Sequence, residues 1–336
     1  MYDIEEDKIL EEIRRRRLKR ILLQMPEGLK PLGFELAQLI EQKTDAEVFL
    51  AGDPCYGACD LSLSAKRLVG AELLIHIGHA EIPGEFSDEN VMYVEARADS
   101  LIEQPMNQAL KMLTHERTVG LASNIQHIHK IEQARHILEE HGKQVLIGRP
   151  SGWLKYPGQV LGCDYGSVRA IAEKVDAIVI LSGGDFHALG IPLATGKRTI
   201  VVDPFQGTAK DMTNECRRLL MKRWAIISKF KNAKKIGIII GLKSSQMNIS
   251  LARRLKQILR ENHYDPQLIC VTEVIPEALD SFTDLEAYVE ISCPRISTDD
   301  QDRYTKPILN PEELMIVLGK KTWEEYTGGM TLESWH

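Results

Sequence analysis

The stretch AEVFLAGDPCYGACDLSLSAKRLVGAELLIHIGH, residues 46–79, decides the fold. Residues 46–51 form a short apolar strand that runs into Gly52-Asp53-Pro54-Cys55-Tyr56-Gly57-Ala58-Cys59-Asp60. Residues 61–69 follow as a helix, and residues 72–77 form a second apolar strand that stops at Gly78-His79. A strand, a helix and another strand without polar alternation predict a parallel sheet covered by helices on both faces. Upstream, residues 20–25 predict another strand ended by Pro26-Glu27-Gly28, and residues 32–43 carry apolar positions at helical spacing. Residues 91–94 predict a fourth strand.

The same order returns after a linking helix near residues 101–113. Strands are expected at 118–122, 144–147, 177–181 and 199–202, with helices at 128–141 and 166–174. Cys59-Asp60 is followed by a helix and an apolar strand, and so is Cys163-Asp164, which predicts a duplicated unit. A third, weaker pass has strands at 235–240, 267–271 and 285–291, a helix at 250–261 and a helical turn at 276–282. It ends at Ser292-Cys293-Pro294. Its phase places Cys293 beside Gly78 or Gly183 of the earlier passes, not beside Cys59 and Cys163. The tail holds a helix start and an apolar run over 309–319, then Trp323, Tyr326 and Trp335. The expected class is α/β, with three related domains of parallel-rich sheets flanked by helices at 1–115, 116–233 and 234–336.

Composition bounds the function. The 336 residues are 43% hydrophobic and 27% charged, the proportions of a folded globular chain and not of a disordered one. No apolar run reaches the roughly 18–20 residues that cross a bilayer, and residues 1–20 lack the apolar centre of a secretory signal. The cytoplasm is expected, with no membrane association. A formal net charge of -6 argues against a nucleic-acid partner. Arg14-Arg15-Arg16-Arg17 with Lys19 and Arg20 reads as a solvated helix face opposite Ile9, Leu10, Ile13 and Leu18, with a local contact to an acidic or phosphate-bearing partner as the alternative.

The six cysteines are Cys55, Cys59, Cys163, Cys216, Cys270 and Cys293, and no two are spaced as Cys-x-x-Cys. Neither a zinc ribbon nor a thioredoxin-type redox motif can be built locally. Cys59 and Cys163 lie between a strand and the next helix, and Cys293 directly follows a strand, where α/β sheets collect ligands. Were the units to converge, three thiolates would suit a soft metal, and three leave one iron of a cluster open to another ligand. Three ordinary interior cysteines remain the alternative at this point. Cys216 in a helix and Cys270 in an apolar strand read as structural, and Cys55 as a spare ligand or a bystander. Asp53 and Asp185 end strands and either bind a substrate amine or cap a turn. His76 reads as a satisfied sheet residue. His79 is better placed as a ligand, although turn packing competes, and His127, His129 and His187 are loop positions without visible partners. Gly241-Leu242-Lys243-Ser244-Ser245-Gln246 lacks the phosphate-loop pattern, but its backbone with Lys243 or Gln246 could cradle a carboxylate or nucleotide; a plain turn is the equal alternative.

Gly52–Asp60, Gly162-Cys163-Asp164, Ile291-Ser292-Cys293-Pro294-Arg295 and Gln24-Met25-Pro26-Glu27-Gly28-Leu29 together resemble the archaeal form of the diphthamide synthase family over essentially the whole chain. The resemblance implies three related α/β domains around a 4Fe-4S cluster held by Cys59, Cys163 and Cys293, in a homodimer. It implies transfer of the 3-amino-3-carboxypropyl group of S-adenosylmethionine to a histidine of translation elongation factor 2, with an external electron donor. The sulfonium bond to the aminocarboxypropyl group would break and 5'-methylthioadenosine would leave. The Cys-x-x-x-Cys-x-x-Cys loop of conventional radical enzymes is missing, because residue 62 is Ser. Lys243 and Gln246 are expected at the methionyl carboxylate, and Asp53 and Asp185 at the amino group or sulfonium. The competing classes are a cluster-bearing electron-transfer or sensing module and a metal-free α/β binding scaffold.

Overall fold

The structure, a computed structural model, describes residues 2–83, 90–243 and 245–327. Ser244 and Trp335, named above, lie outside the described residues.

Three sheets follow one another along the chain. The first runs Glu47–Leu50, Arg20–Gln24, Leu73–Ile77, Val91–Val94, all parallel. The second runs Gln144–Leu146, Thr118–Ser123, Ala177–Leu181, Arg198–Asp203, Thr208–Asp211, with the first three parallel. The third runs Asp265–Val271, Lys235–Gly241, Ala287–Glu290, Ile308–Leu309, all parallel. Numbered within each pass, the order is 2-1-3-4 every time, and the second pass adds a fifth strand at its edge. The repeat read from the sequence is therefore a repeat of topology. Such an order has a switch point between its first and third strands, and the loops at the carboxyl ends there are the natural ligand sites.

Burial explains the apolar runs. Ile21, Leu22 and Leu23 are buried, as are Leu73, Leu74 and Ile75, and Ala177 to Leu181 are all sealed from solvent. A strand covered on both faces has no polar alternation to show. The helices carry the opposite signal. Glu6–Arg16 buries Ile9, Leu10 and Ile13 and turns Arg14 and Arg15 outward. Ile249–Glu261 buries Ala252, Leu255 and Leu259, and its Asn248 side chain caps the Leu251 N–H.

Several elements differ from expectation. The single helix expected over 166–174 is a short α-turn, Gly166–Arg169, and a 3-10 turn, Ala172–Lys174. The helix over 128–141 begins as a 3-10 segment, Ile125–Lys130, and becomes α-helical at Ile131–Glu140. The edge strand Thr208–Asp211 and the helix Phe186–Thr195 were not read. Pro192 inside that helix removes a backbone donor and masks the helical pattern. Gly148 marks a close approach: a Cβ there would overlap the Ser167 carbonyl.

The chain divides into two compact units, Met1–Ala188 with Ile200–Lys210, and Leu189–Thr199 with Asp211–His336. The first sheet and the body of the second belong to the first unit, and the third sheet belongs to the second. Within the second unit, Arg223 on the helix Thr213–Phe230 is 1% exposed and forms a two-pronged ion pair with Glu313, which is fully buried. Both N–H···O distances are 2.7 Å. The guanidinium also donates to the Ser297 and Ile308 carbonyls, at 2.6 and 2.8 Å. Among the described residues no helix is long and apolar enough to cross a membrane.

Candidate metal-cluster site

Each of the three cysteine loops is held by a carboxylate one to three residues from its cysteine. In the first, Asp60 follows Cys59. Its N–H donates to the Gly57 carbonyl at 2.9 Å, and its carboxylate accepts from the Tyr56 N–H at 3.4 Å. A Cβ on Gly57 would sit 3.3 Å from the Cys59 sulfur, so the glycine lets the backbone turn beside the thiol. Gln24, at the carboxyl end of the central strand, donates to the Asp60 carbonyl at 2.5 Å and accepts from the Ser62 N–H at 3.0 Å.

The second loop repeats the device. Asp164 follows Cys163, and its carboxylate accepts from the Trp153 and Gly166 N–H groups, each at 2.8 Å. Its carbonyl accepts from the Leu161 N–H at 2.9 Å. Cys163 stands exposed on the resulting turn.

The third loop uses an acid from the strand itself. Glu290 ends Ala287–Glu290 and is fully buried. One carboxylate oxygen accepts from the Ser292 N–H at 2.5 Å, the Cys293 N–H at 2.7 Å and the Ser292 hydroxyl. The other is buried with no hydrogen-bond partner among the described residues. Burial pushes the Glu290 carboxyl up to about 7, against the three donors that favour its charge. Cys293 then starts the helix Pro294–Asp299. Glu290→Ala would strip three donors of their acceptor. Each unsatisfied buried donor costs about 1–3 kcal/mol, so the loop should open. Faster hydrogen exchange at Ser292 and Cys293, with the strand ladder still protected, would register this; unchanged exchange would contradict it.

The other cysteines separate cleanly. Cys216 is fully buried in Thr213–Phe230, and burial pushes its thiol up to about 12, far from the thiolate a metal needs. Cys270 differs from the structural reading. It lies on the edge strand Asp265–Val271 with its side chain exposed, because only one face of that strand is covered at this position. Cys59 and Cys293 are partly exposed.

The polar residues expected at a substrate fall in different settings. Asp53 is exposed on the first loop. Asp185 pairs with Lys210 at 2.7 Å. Lys243 is only 8% exposed and pairs with Glu273 at 2.6 Å, so a substrate carboxylate would have to compete with that partner. Gln246 lies beside the Cys293 loop: a Cβ built on Gly241 would be 3.3 Å from its side-chain oxygen and 2.6 Å from the Ser292 Cβ. Gly241→Ala should therefore push that loop off its strand end. If Cys293 is an iron ligand, less iron retained after reconstitution, with an unchanged melting profile of the first unit, is the expected result.

The histidines also separate. His76 and His79 are drawn together, with His76 Nε2 and His79 Nδ1 3.0 Å apart, and Cys55 lies beside them. Burial holds the His76 imidazole well below its ordinary range and His79 at about 4. His127 is buried in Ile125–Lys130 against the Phe205 ring and held at about 4, chiefly by burial. The unfolded chain protonates this imidazole below about pH 6.5, whereas the native fold refuses the proton until about pH 4. Its contribution of roughly 3 kcal/mol is complete above pH 6.5 and is lost as pH falls through that window. Urea melts at pH 7 and pH 5 should show the loss, and His127→Gln should shrink it. His187 meets the Ser182 hydroxyl at 3.4 Å. The loop contacts of Gln24 and Glu290 have no local signal beyond a polar side chain at the end of an otherwise apolar strand, although Gln24 also opens the Gln24–Leu29 motif.

Parallel α/β sheets of one repeated order, with acid-braced cysteine loops at their carboxyl ends, define a scaffold suited to a sulfur-ligated metal group. Residues 25–327 match the family model described as diphthamide synthesis protein, and the chain belongs to that family. It is 36% identical over 334 residues to 2-(3-amino-3-carboxypropyl)histidine synthase of Pyrococcus horikoshii, covering 97% of this chain and 93% of the relative. It is 28% identical over 332 residues to subunit 1 of the 2-(3-amino-3-carboxypropyl)histidine synthase of Schizosaccharomyces pombe, covering 96% of this chain and 75% of that one. The fold matches the crystal structure of Dph2 from Pyrococcus horikoshii with a 4Fe-4S cluster at a TM-score of 0.88 and 34% identity, covering 97% and 94% of the two chains.

Proposed function

We propose that this chain is an iron-sulfur transferase. It moves the 3-amino-3-carboxypropyl group of S-adenosylmethionine onto carbon two of a histidine imidazole of translation elongation factor 2, the first step of diphthamide biosynthesis. The observation that carries the reading is the family membership over residues 25–327 in a chain whose Cys59, Cys163 and Cys293 all sit on acid-braced loops at strand ends. The donor set fits a 4Fe-4S cluster: these thiols reach solvent to some degree, while the thiol of Cys216 is sealed and held protonated. Three thiolates leave one iron for a ligand that is not protein. When bound and reduced, such a cluster would supply one electron to the sulfonium; the bond to the aminocarboxypropyl γ-carbon would break, 5'-methylthioadenosine would leave, and the carbon radical would add to imidazole carbon two, whose adduct then gives up one electron and the C2 proton.

The chain's own residues do the positioning. Gln246, beside the Cys293 loop, is the proposed partner of the methionyl carboxylate, and Lys243 joins it only if Glu273 yields. Asp53, open to solvent, is the anion proposed to meet the amino group or sulfonium, and Asp185 serves only if Lys210 lets go. Asp60, Asp164 and Glu290 fix the backbone from which the thiols project. The three passes, 1–115, 116–233 and 234–336, are inferred to be three related α/β domains. The chain is read as a homodimer in the cytoplasm, drawing on an external electron donor.

Anaerobic reconstitution, then reduction by dithionite in the presence of S-adenosylmethionine, tests the reaction type before any protein acceptor is added. Release of 5'-methylthioadenosine supports the reading. Release of 5'-deoxyadenosine, or no sulfonium cleavage by a chain with a verified cluster, refutes it.

A further inference from the structure

We propose that Cys55, His76 and His79 form a second metal site, distinct from the cluster thiols, that takes a divalent cation of the zinc class and braces the loop leading to Cys59. The Cys55 sulfur and one nitrogen from each imidazole lie within 4.8 Å of one another. In a tetrahedral zinc site with ordinary bond lengths, two ligating nitrogens are about 3.3 Å apart and a sulfur and a nitrogen about 3.5 Å. The two imidazole nitrogens, at 3.0 Å, already stand near that spacing.

The tautomer of His76 follows from its neighbours. The Ser62 N–H can only donate, so the Gln24 atom that receives it is the amide oxygen; the Asp60 carbonyl can only accept, so the other Gln24 atom is the amide nitrogen. His76 Nδ1 lies 3.0 Å from that same oxygen and must donate to it. The proton of the neutral ring is then on Nδ1, and Nε2 presents its lone pair toward His79 Nδ1. A ligating histidine held by a carbonyl oxygen at its far nitrogen is the usual outer shell of a metal site. The backbone cooperates. Gln24 and His76 are register partners on adjacent parallel strands. Gly78 has a φ of +98°, which turns the chain so that the His79 ring folds back to 5.1 Å from the His76 ring. A Cβ on Gly78 would press on Pro26 and Leu29 at 3.1 Å. Cys55 is buried, whereas Asp53 and Pro54 just before it are exposed, so the chain dips inward at this one thiol. One thiolate and two imidazoles favour zinc over magnesium or calcium, which take oxygen.

The test uses the full chain with Cys59, Cys163 and Cys293 all replaced by Ala, so that neither iron nor zinc at those thiols contributes. The probes are Zn²⁺, read by elemental analysis, and Co²⁺, read by its thiolate charge-transfer band. About one equivalent of zinc per chain should survive gel filtration. Cys55→Ser and His79→Gln, in chains whose circular dichroism is unchanged, should each weaken cobalt binding about tenfold or more. Because His79 is less buried than His76, its variant keeps the test readable if His76→Ala does not fold. No zinc retained by the triple variant, or cobalt binding that ignores Cys55→Ser and His79→Gln, would overturn the proposal. Neither result bears on the cluster or on transfer chemistry.

Discussion

Cys163→Ala should leave the fold intact and abolish turnover. Its side chain is exposed, so its removal opens no cavity, while the turn around it is held by the Asp164 carboxylate and survives. If Cys163 is one of three ligands, the reconstituted variant should hold far less iron and sulfide. Aminocarboxypropyl transfer should then drop by about a thousandfold or more, equivalent to about 4 kcal/mol of barrier. Cys270→Ala is the matched control, since Cys270 is also exposed but lies on an edge strand. Iron content and product release should be unchanged in that control. Full turnover by Cys163→Ala would remove it from the ligand set.

The largest stability effect is expected at Arg223. Its guanidinium is sealed in the second unit, with four N–H groups donating to Glu313 and two carbonyls. Glu313 in turn caps its own helix through Asn310 and accepts from the Tyr326 hydroxyl at 3.0 Å. Removing one partner of such a buried pair leaves an unpaired charge and costs about 3–5 kcal/mol. Arg223→Met should therefore lower the urea midpoint of the second unit sharply. The double variant Arg223→Met, Glu313→Leu should recover much of the loss, because the stranded carboxylate is gone. If the single variant melts like the native chain, the pair does not hold that unit together.

What the sequence disclosed and what it concealed follow from range. Apolar runs such as Leu73–Ile77 and Ala177–Leu181 are local, and a strand buried on both faces writes itself into consecutive residues. The repeat and the family resemblance were legible because Cys59-Asp60 and Cys163-Asp164 each precede a helix and a strand. Glu290 and Arg223 were not legible. A carboxylate at a strand end and an arginine in a helix carry no local mark of their partners, and only the fold places those partners around them. Lys243 read as a substrate ligand, while its partner Glu273 sits 30 residues on. The broken helix after Cys163 was concealed because Gly166–Arg169 and Ala172–Lys174 are each too short for periodicity to resolve.

The most direct test of the transfer reading is anaerobic turnover of the reconstituted, reduced chain with carboxyl-labelled S-adenosylmethionine and archaeal elongation factor 2. The predicted result is label on one histidine of the factor, matched by 5'-methylthioadenosine, and neither product from the chain lacking Cys59, Cys163 and Cys293. Sulfonium cleavage without label on the factor, or label that persists in the triple variant, would contradict it.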